Sequence, residues 1–326
     1  MPGKDELIDY LKKSQLCALP QSASQMIELS KDPNNGPQEF AKPISADLGL
    51  STQVLRFVNS SFFGFRYKIT SIPLALTLAS VRTIRNYVLW NGLFAMLPNP
   101  HCGPFTIKIL FQDALRRAVF TRVVTEHYTK LDSDEAFTCS LMQDIAIPFL
   151  AKKWGDEYAE MITKTNTEQV RLSILEREKL GWDHSDAGAI LTIGWNLGEM
   201  VGNVVSQHTD VDLAIHQSSE PSFASITALS ALLPKVPDGK WFEAVPFVKS
   251  FLKLFGPRLT EVAAIFSKSD AISEQLTELV NLGRFSKNLS DYWLEILSGN
   301  PWTKLHDVNA TEEQLEEHFV QAVNNP

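Results

Sequence analysis

The sequence predicts an all-α protein. Apolar residues recur at helical spacing, as at Phe137, Leu141, Ile145 and Phe149, or at Val54, Leu55, Val58 and Phe62. Capping residues stand at the starts of such runs, and breaker clusters such as Asp32–Pro37, Asn99–Pro104 and Pro234–Gly239 separate them. With 326 residues, 44% hydrophobic and 21% charged, the chain can build a large core or two domains, and disorder is not the default.

The elements follow in order. A short amphipathic segment over Asp5–Leu16 leads to Leu19-Pro20, and Ser22 or Ser24 is expected to cap the next helix, which runs through Leu29. After the Asp32–Pro37 turn, Pro37 suits a first helical position, with Gln38 and Glu39 in the first turn and Pro43 as a kink. Ser51 is expected to cap the following helix, which breaks at Phe63-Gly64-Phe65. Asn99–Pro104 marks a lobe boundary, and Phe105–Tyr128 reads as one long helix. Ala136–Trp154 reads as one helix whose buried stripe passes a single carboxylate, Asp144. A helix from Thr167 ends at a C-cap glycine, Gly181, and Asp183 starts another with Asp186 three residues on, a variant capping box. Beyond Pro221, helices are expected over Phe223–Leu233, onward to about Leu282, over Leu289–Leu297, and over Thr311–Val323.

Charge and cysteine content exclude several classes. Cys17, Cys102 and Cys139 are too few for a disulfide framework and lack zinc-ligand spacing, which suits a reducing cytoplasm. Met1–Lys13 has no apolar signal core, and no run approaches the roughly 18 apolar residues of a membrane span. The net charge of −8 argues against broad nucleic-acid binding. Its distribution is uneven: 15 Lys and Arg against 9 Asp and Glu through Lys130, then 15 against 29. Arg56, Arg66 and Lys68, beside an aromatic cluster of Phe57, Phe62, Phe63, Phe65 and Tyr67, together with Arg82 and Arg85, are therefore the candidate surface for a partner or small anionic ligand. Asn59, with Ser60, is a further polar candidate, although a helix end is also where Asn satisfies orphan backbone groups. There is no Walker-type phosphate loop, nucleophile elbow or Cys-x-x-Cys pair.

Leu50–Gly64, with its asparagine-serine pair and aromatic-glycine turn, resembles the signature of HDOD modules, relatives of HD-domain phosphohydrolases found in bacterial signalling proteins. Glu176–Leu191 resembles their glutamate, leucine-glycine, aspartate-histidine and glycine-alanine pattern, and Trp195–Glu199 their tryptophan-asparagine-leucine turn. Gln207-His208 lies where many relatives carry two histidines. The likeness spans roughly Leu16–Asp210 with its pieces in order, though Leu48-Gly49 replaces the usual proline and Ala79-Ser80 the usual leucine-glycine.

The resemblance implies an HD-like multi-helical bundle. Residues 1–15 would form an N-terminal helix or arm and 16–212 an HDOD domain with lobes at 16–97 and 105–212. Residues 213–326 would form a helical C-terminal extension. It also implies a metal cage of an early histidine, a His-Asp pair and a late aspartate. Here the early position falls near Asp113, the pair is Gln143-Asp144, and the late segment, Phe223–Leu232, has no carboxylate. A glutamine amide is a poor ligand, so no catalytic residue and no cofactor are expected. Asp113, Asp144, His184 and His208 remain as vestigial candidates for a residual divalent metal in an altered geometry. The expected role is a cytoplasmic, non-catalytic regulatory module of bacterial signal transduction that binds a signalling protein or small ligand. The alternative is a divergent metal-dependent phosphohydrolase acting on a nucleotide or cyclic dinucleotide.

Overall fold

The computed structural model describes residues 4–13, 20–60, 63–216, 220–236 and 238–298. They form helices throughout, with no strand among the described residues beyond an isolated bridge from Cys102 to Phe105. The first group comprises α1 (Lys4–Lys13), α2 (Gln21–Leu29), α3 (Pro37–Ala46), α4 (Leu48–Val58), α5 (Ile72–Leu78) and α6 (Val81–Met96). The second comprises α7 (Ile107–Tyr128), α8 (Ser133–Met142), α9 (Ile147–Glu168), α10 (Leu172–Leu180), α11 (His184–Gly194), α12 (Glu199–Gln207) and α13 (Val211–His216). The extension adds α14 (Phe223–Ser230), α15 (Ala244–Phe255), α16 (Leu259–Leu279) and α17 (Leu289–Ser298). The helix expected over Thr311–Val323, like Cys17 and Phe62, lies outside the described residues.

Several boundaries differ from expectation. Ala136–Trp154 is not one helix: α8 ends at Met142, a turn occupies 143–146, and α9 begins at Ile147. Pro148 sits in the first turn of α9, where its missing N–H costs nothing, and the turn closes through Ile145 N to Met142 O and Ile147 N to Asp144 O. The four-residue apolar period survives because these i to i−3 bonds keep Leu141, Ile145 and Phe149 buried on one side. Pro20, not Ser22 or Ser24, precedes α2, and Asp47, not Ser51, caps α4 by accepting Leu50 N at 3.0 Å. Ser51 instead donates to Ile44 O. No helix starts at Thr167; α9 runs to Glu168, Gln169 turns left-handed, and α10 follows.

One apolar cluster runs through all three parts of the chain. The long helix α7 is its axis, packed against α8, α14 and α16. Its residue Phe120, fully buried, meets both Phe247 and Phe266 with ring centroids 5.8 Å apart, which sets the extension directly on the core. No helix among the described residues is long and apolar enough to cross a membrane.

Candidate functional site

The site lies where α7, the α8–α9 turn, α11 and α12 converge. Because the helix breaks at 143–146, Asp144 projects inward from a turn. It is 7% exposed, and its Oδ2 is ion-paired with Arg117 of α7, itself buried. Burial alone would raise the Asp144 pKa, but Arg117 and the two neighbouring imidazoles hold it well below the usual carboxylate range.

His184 is the first residue of α11. Asp183 caps that helix by accepting the Ser185 and Asp186 N–H groups, as the capping-box pattern predicts. The ring is fixed from behind: its Nδ1 lies 2.5 Å from Glu176 Oε2, and Nε2 faces Asp144 Oδ1 at 3.4 Å. Glu176, fully buried on α10, also accepts the His184 N–H at 2.9 Å and the Tyr158 hydroxyl. Burial would lower the His184 pKa, but Glu176 and Asp144 raise it.

His208 closes α12. Its Nδ1 donates to Val205 O at 2.6 Å, because a carbonyl can only accept. Burial and the neighbouring His184 lower its pKa, against the pull of Asp144. Its Nε2 lies 3.5 Å from Asp144 Oδ1, yet it is buried without a hydrogen-bond partner. The two rings come within 5.2 Å because α11 and α12 pack closely at Gly188, where a Cβ would stand 2.8 Å from Val205 Cγ1.

These groups form the polar end of a cavity of about 140 Å³. Phe105, Ile109 and Ile162 also line it, together with Lys235, Phe242 and Glu243 of the extension. Arg171 ties the two sides together, with Nε 3.3 Å from Glu243 Oε1 and Nη1 donating to Thr209 O.

The structure brings three of the four metal candidates together: Asp144, His184 and His208. Asp113 lines the same cavity but is engaged elsewhere, its Oδ1 accepting Val236 N at 2.6 Å. Its pKa is pushed up to about 6 by burial, against the pull of Arg117 and Arg116. Gln143 turns away, its amide donating to Ser140 and to Ser230 Oγ of α14. A cage of the HD phosphohydrolase type therefore does not fit these residues. Its first position is bound to backbone, its second is an amide, and its late segment offers only hydroxyls.

The surface candidates fall into two sets. Arg56, Arg66 and Lys68 are exposed, with Tyr67 at 83% exposure between the last two. Arg82 pairs with Asp132 and lies 3.9 Å from Glu135 of α8, and the half-buried Arg85 donates to Asn86. Asn59 spends its amide on backbone, donating to Ile69 O and accepting Ile69 N, each at 2.7 Å.

A family model for the HDOD domain matches residues 16–211. The chain belongs to the HDOD domain family. Among solved structures it is similar to an HDOD domain protein of unknown function from Geobacter sulfurreducens, with a TM-score of 0.65 and 17% identity over 85% of this chain and 99% of that one. A candidate phosphohydrolase from Shewanella amazonensis gives 0.57 and 16% over 97% of each chain. A candidate signal transduction protein from Marinobacter aquaeolei gives 0.56 and 17% over 85% of this chain and 58% of that one. At these identities the likeness shows the fold alone. An uncharacterized protein of Treponema pallidum (strain Nichols) is 24% identical over 250 residues, 73% of this chain and 46% of the relative, so the chain spans about half the length of that curated relative.

Sequence reasoning missed Arg117, Glu176, Lys235 and Glu243 as parts of this HDOD site. Arg116-Arg117 inside the apolar run Ala114–Val119 was the available signal, since two charges on an otherwise buried helix need partners.

Proposed function

We propose that this HDOD chain is a non-catalytic regulatory module that acts by binding, with the cavity between its core and its extension as the small-ligand site. The observation that carries the reading is the ion pair of Arg117 with Asp144. The one retained carboxylate of the expected cage is neutralised from within the protein, and Gln143 and Ser230 hydrogen-bond where ligands would stand. Two-metal phosphoryl chemistry needs several anionic and imidazole ligands around both ions, and this set does not supply them.

A route from cavity to surface supports regulation. Arg117 faces the cavity, while Gln112, Asp113 and Arg116 on the same stretch of α7 hold two loops of the extension. A ligand that prefers one arrangement of Arg117 therefore biases how firmly the extension docks. Exposed Arg56, Arg66 and Lys68 are the surface we assign to an anionic signalling partner.

The rival reading, a divergent phosphohydrolase, draws on the same Asp144. Phosphate release from nucleotides, cyclic dinucleotides and p-nitrophenyl phosphate, measured with Mn²⁺, Fe²⁺ and Mg²⁺, separates the two. The expected outcome is no release above that of Asp144→Ala; turnover that disappears in that variant would reverse the assignment.

A further inference from the structure

The 3.4 and 3.5 Å separations of Asp144 Oδ1 from the two imidazole Nε2 atoms are poor as hydrogen bonds. They are, however, close to the edge of a tetrahedron around a metal. Ligand bonds of about 2.0–2.1 Å place adjacent donor atoms roughly 3.3–3.4 Å apart. All three donor atoms lie within 4.8 Å of one another.

Each donor is also held from the far side. Glu176 takes His184 Nδ1, the Val205 carbonyl takes His208 Nδ1, and Arg117 takes Asp144 Oδ2. Outer contacts of this kind orient metal ligands and fix their tautomers. They also leave Asp144 with a single oxygen to offer. The buried, unpartnered Nε2 of His208 is the atom that the protein alone does not satisfy. All three ligand residues line the cavity.

We propose that Asp144 Oδ1, His184 Nε2 and His208 Nε2 form a mononuclear site for a borderline divalent transition metal. Two nitrogens and one carboxylate oxygen favour zinc, iron, cobalt or nickel over magnesium or calcium. The site is not the cage that the family resemblance implies, because two of its three ligands come from α11 and α12 and it uses neither residue 113 nor residue 143. It rests on the reading above that the cavity binds rather than turns over, and gives that cavity a fixed cation against which an anionic ligand can dock.

The test is cobalt titration of chelator-stripped full chain, followed by visible ligand-field absorption, with zinc competition. We expect one equivalent of four- or five-coordinate cobalt displaced by zinc, loss of the band in His208→Ala, and about 10 to 100-fold weaker binding in Glu176→Gln. Circular dichroism melts report whether each variant folds; if His208→Ala does not, Glu176→Gln decides. A wild-type chain without the band, or one whose band and affinity are unchanged in the folded variants, would overturn the site. Neither result touches the phosphate-release assay, so the site and the regulatory reading fail separately.

Discussion

At the scale of single residues, the buried charges decide what this HDOD module can do. Arg117 and Asp144 compensate each other in a water-poor centre, so removal of one partner strands the other. Arg117→Met should cost about 3–5 kcal/mol in urea-denaturation stability, and pairing it with Asp144→Asn should recover part of that loss. Additive losses in the double-mutant cycle would show that the pair is not coupled. Asp113 makes a second prediction, of pH dependence. Its folded pKa of about 6 stands above the usual 3.8, so the folded state holds this proton more tightly than the unfolded chain. Its contribution to stability is therefore complete below about pH 4 and is lost as the pH rises through about 6. Asparagine keeps an acceptor for Val236 N but cannot ionise. The difference in stability between wild type and Asp113→Asn should fall by roughly 2–3 kcal/mol over that window. A flat difference would mean that the carboxyl is not desolvated.

At the scale of elements, the site depends on one helix break and one close helix pair. Continuous helix through 143–146 would turn Asp144 out of its present position, and the turn before Pro148 prevents that. The α11–α12 contact at Gly188 sets the spacing of the two imidazoles. Gly188→Val would press its side chain against Val205, whose Cγ1 lies only 2.8 Å from even a Cβ. Overpacking of this kind should cost about 1–3 kcal/mol and weaken any ligand that uses both His184 and His208. Thermal melts with and without cobalt check both halves. A variant as stable as wild type with unchanged cobalt affinity would show that the helices have room to spare.

At the scale of the whole molecule, α7 joins the family core to the extension. Arg116, 1% exposed, donates to Pro234 O and Lys287 O and lies over the Phe285 ring, with 4.4 Å from its guanidinium carbon to the centroid. Gln112 donates to the carbonyls of Leu282, Gly283 and Arg284. Arg116→Leu leaves the buried carbonyl of Pro234 and the partly buried carbonyl of Lys287 without that donor, so it should cost about 2–4 kcal/mol and speed hydrogen exchange across 234–236 and 282–287 first. Exchange that rises equally in α2 and α3 would instead indicate global loosening.

The HDOD assignment was legible because its evidence is local. Caps, glycine turns and motif order such as Glu176–Leu191 are written in neighbouring residues, and so were α7, the α11 capping box and the Gly181 stop. The continuous helix over Ala136–Trp154 was misread because apolar period measures burial, which the tight turn preserves, and not hydrogen-bond continuity. The sequence alone determined the helical class and the family, since residue identity and local pattern suffice for each. Only the tertiary structure could set Arg117 against Asp144, aim the unpaired nitrogen of His208 at the same oxygen as His184, and bring Lys235 and Glu243 to the cavity. Those relations join residues far apart in the chain, and their energies depend on distances and desolvation that no local pattern encodes.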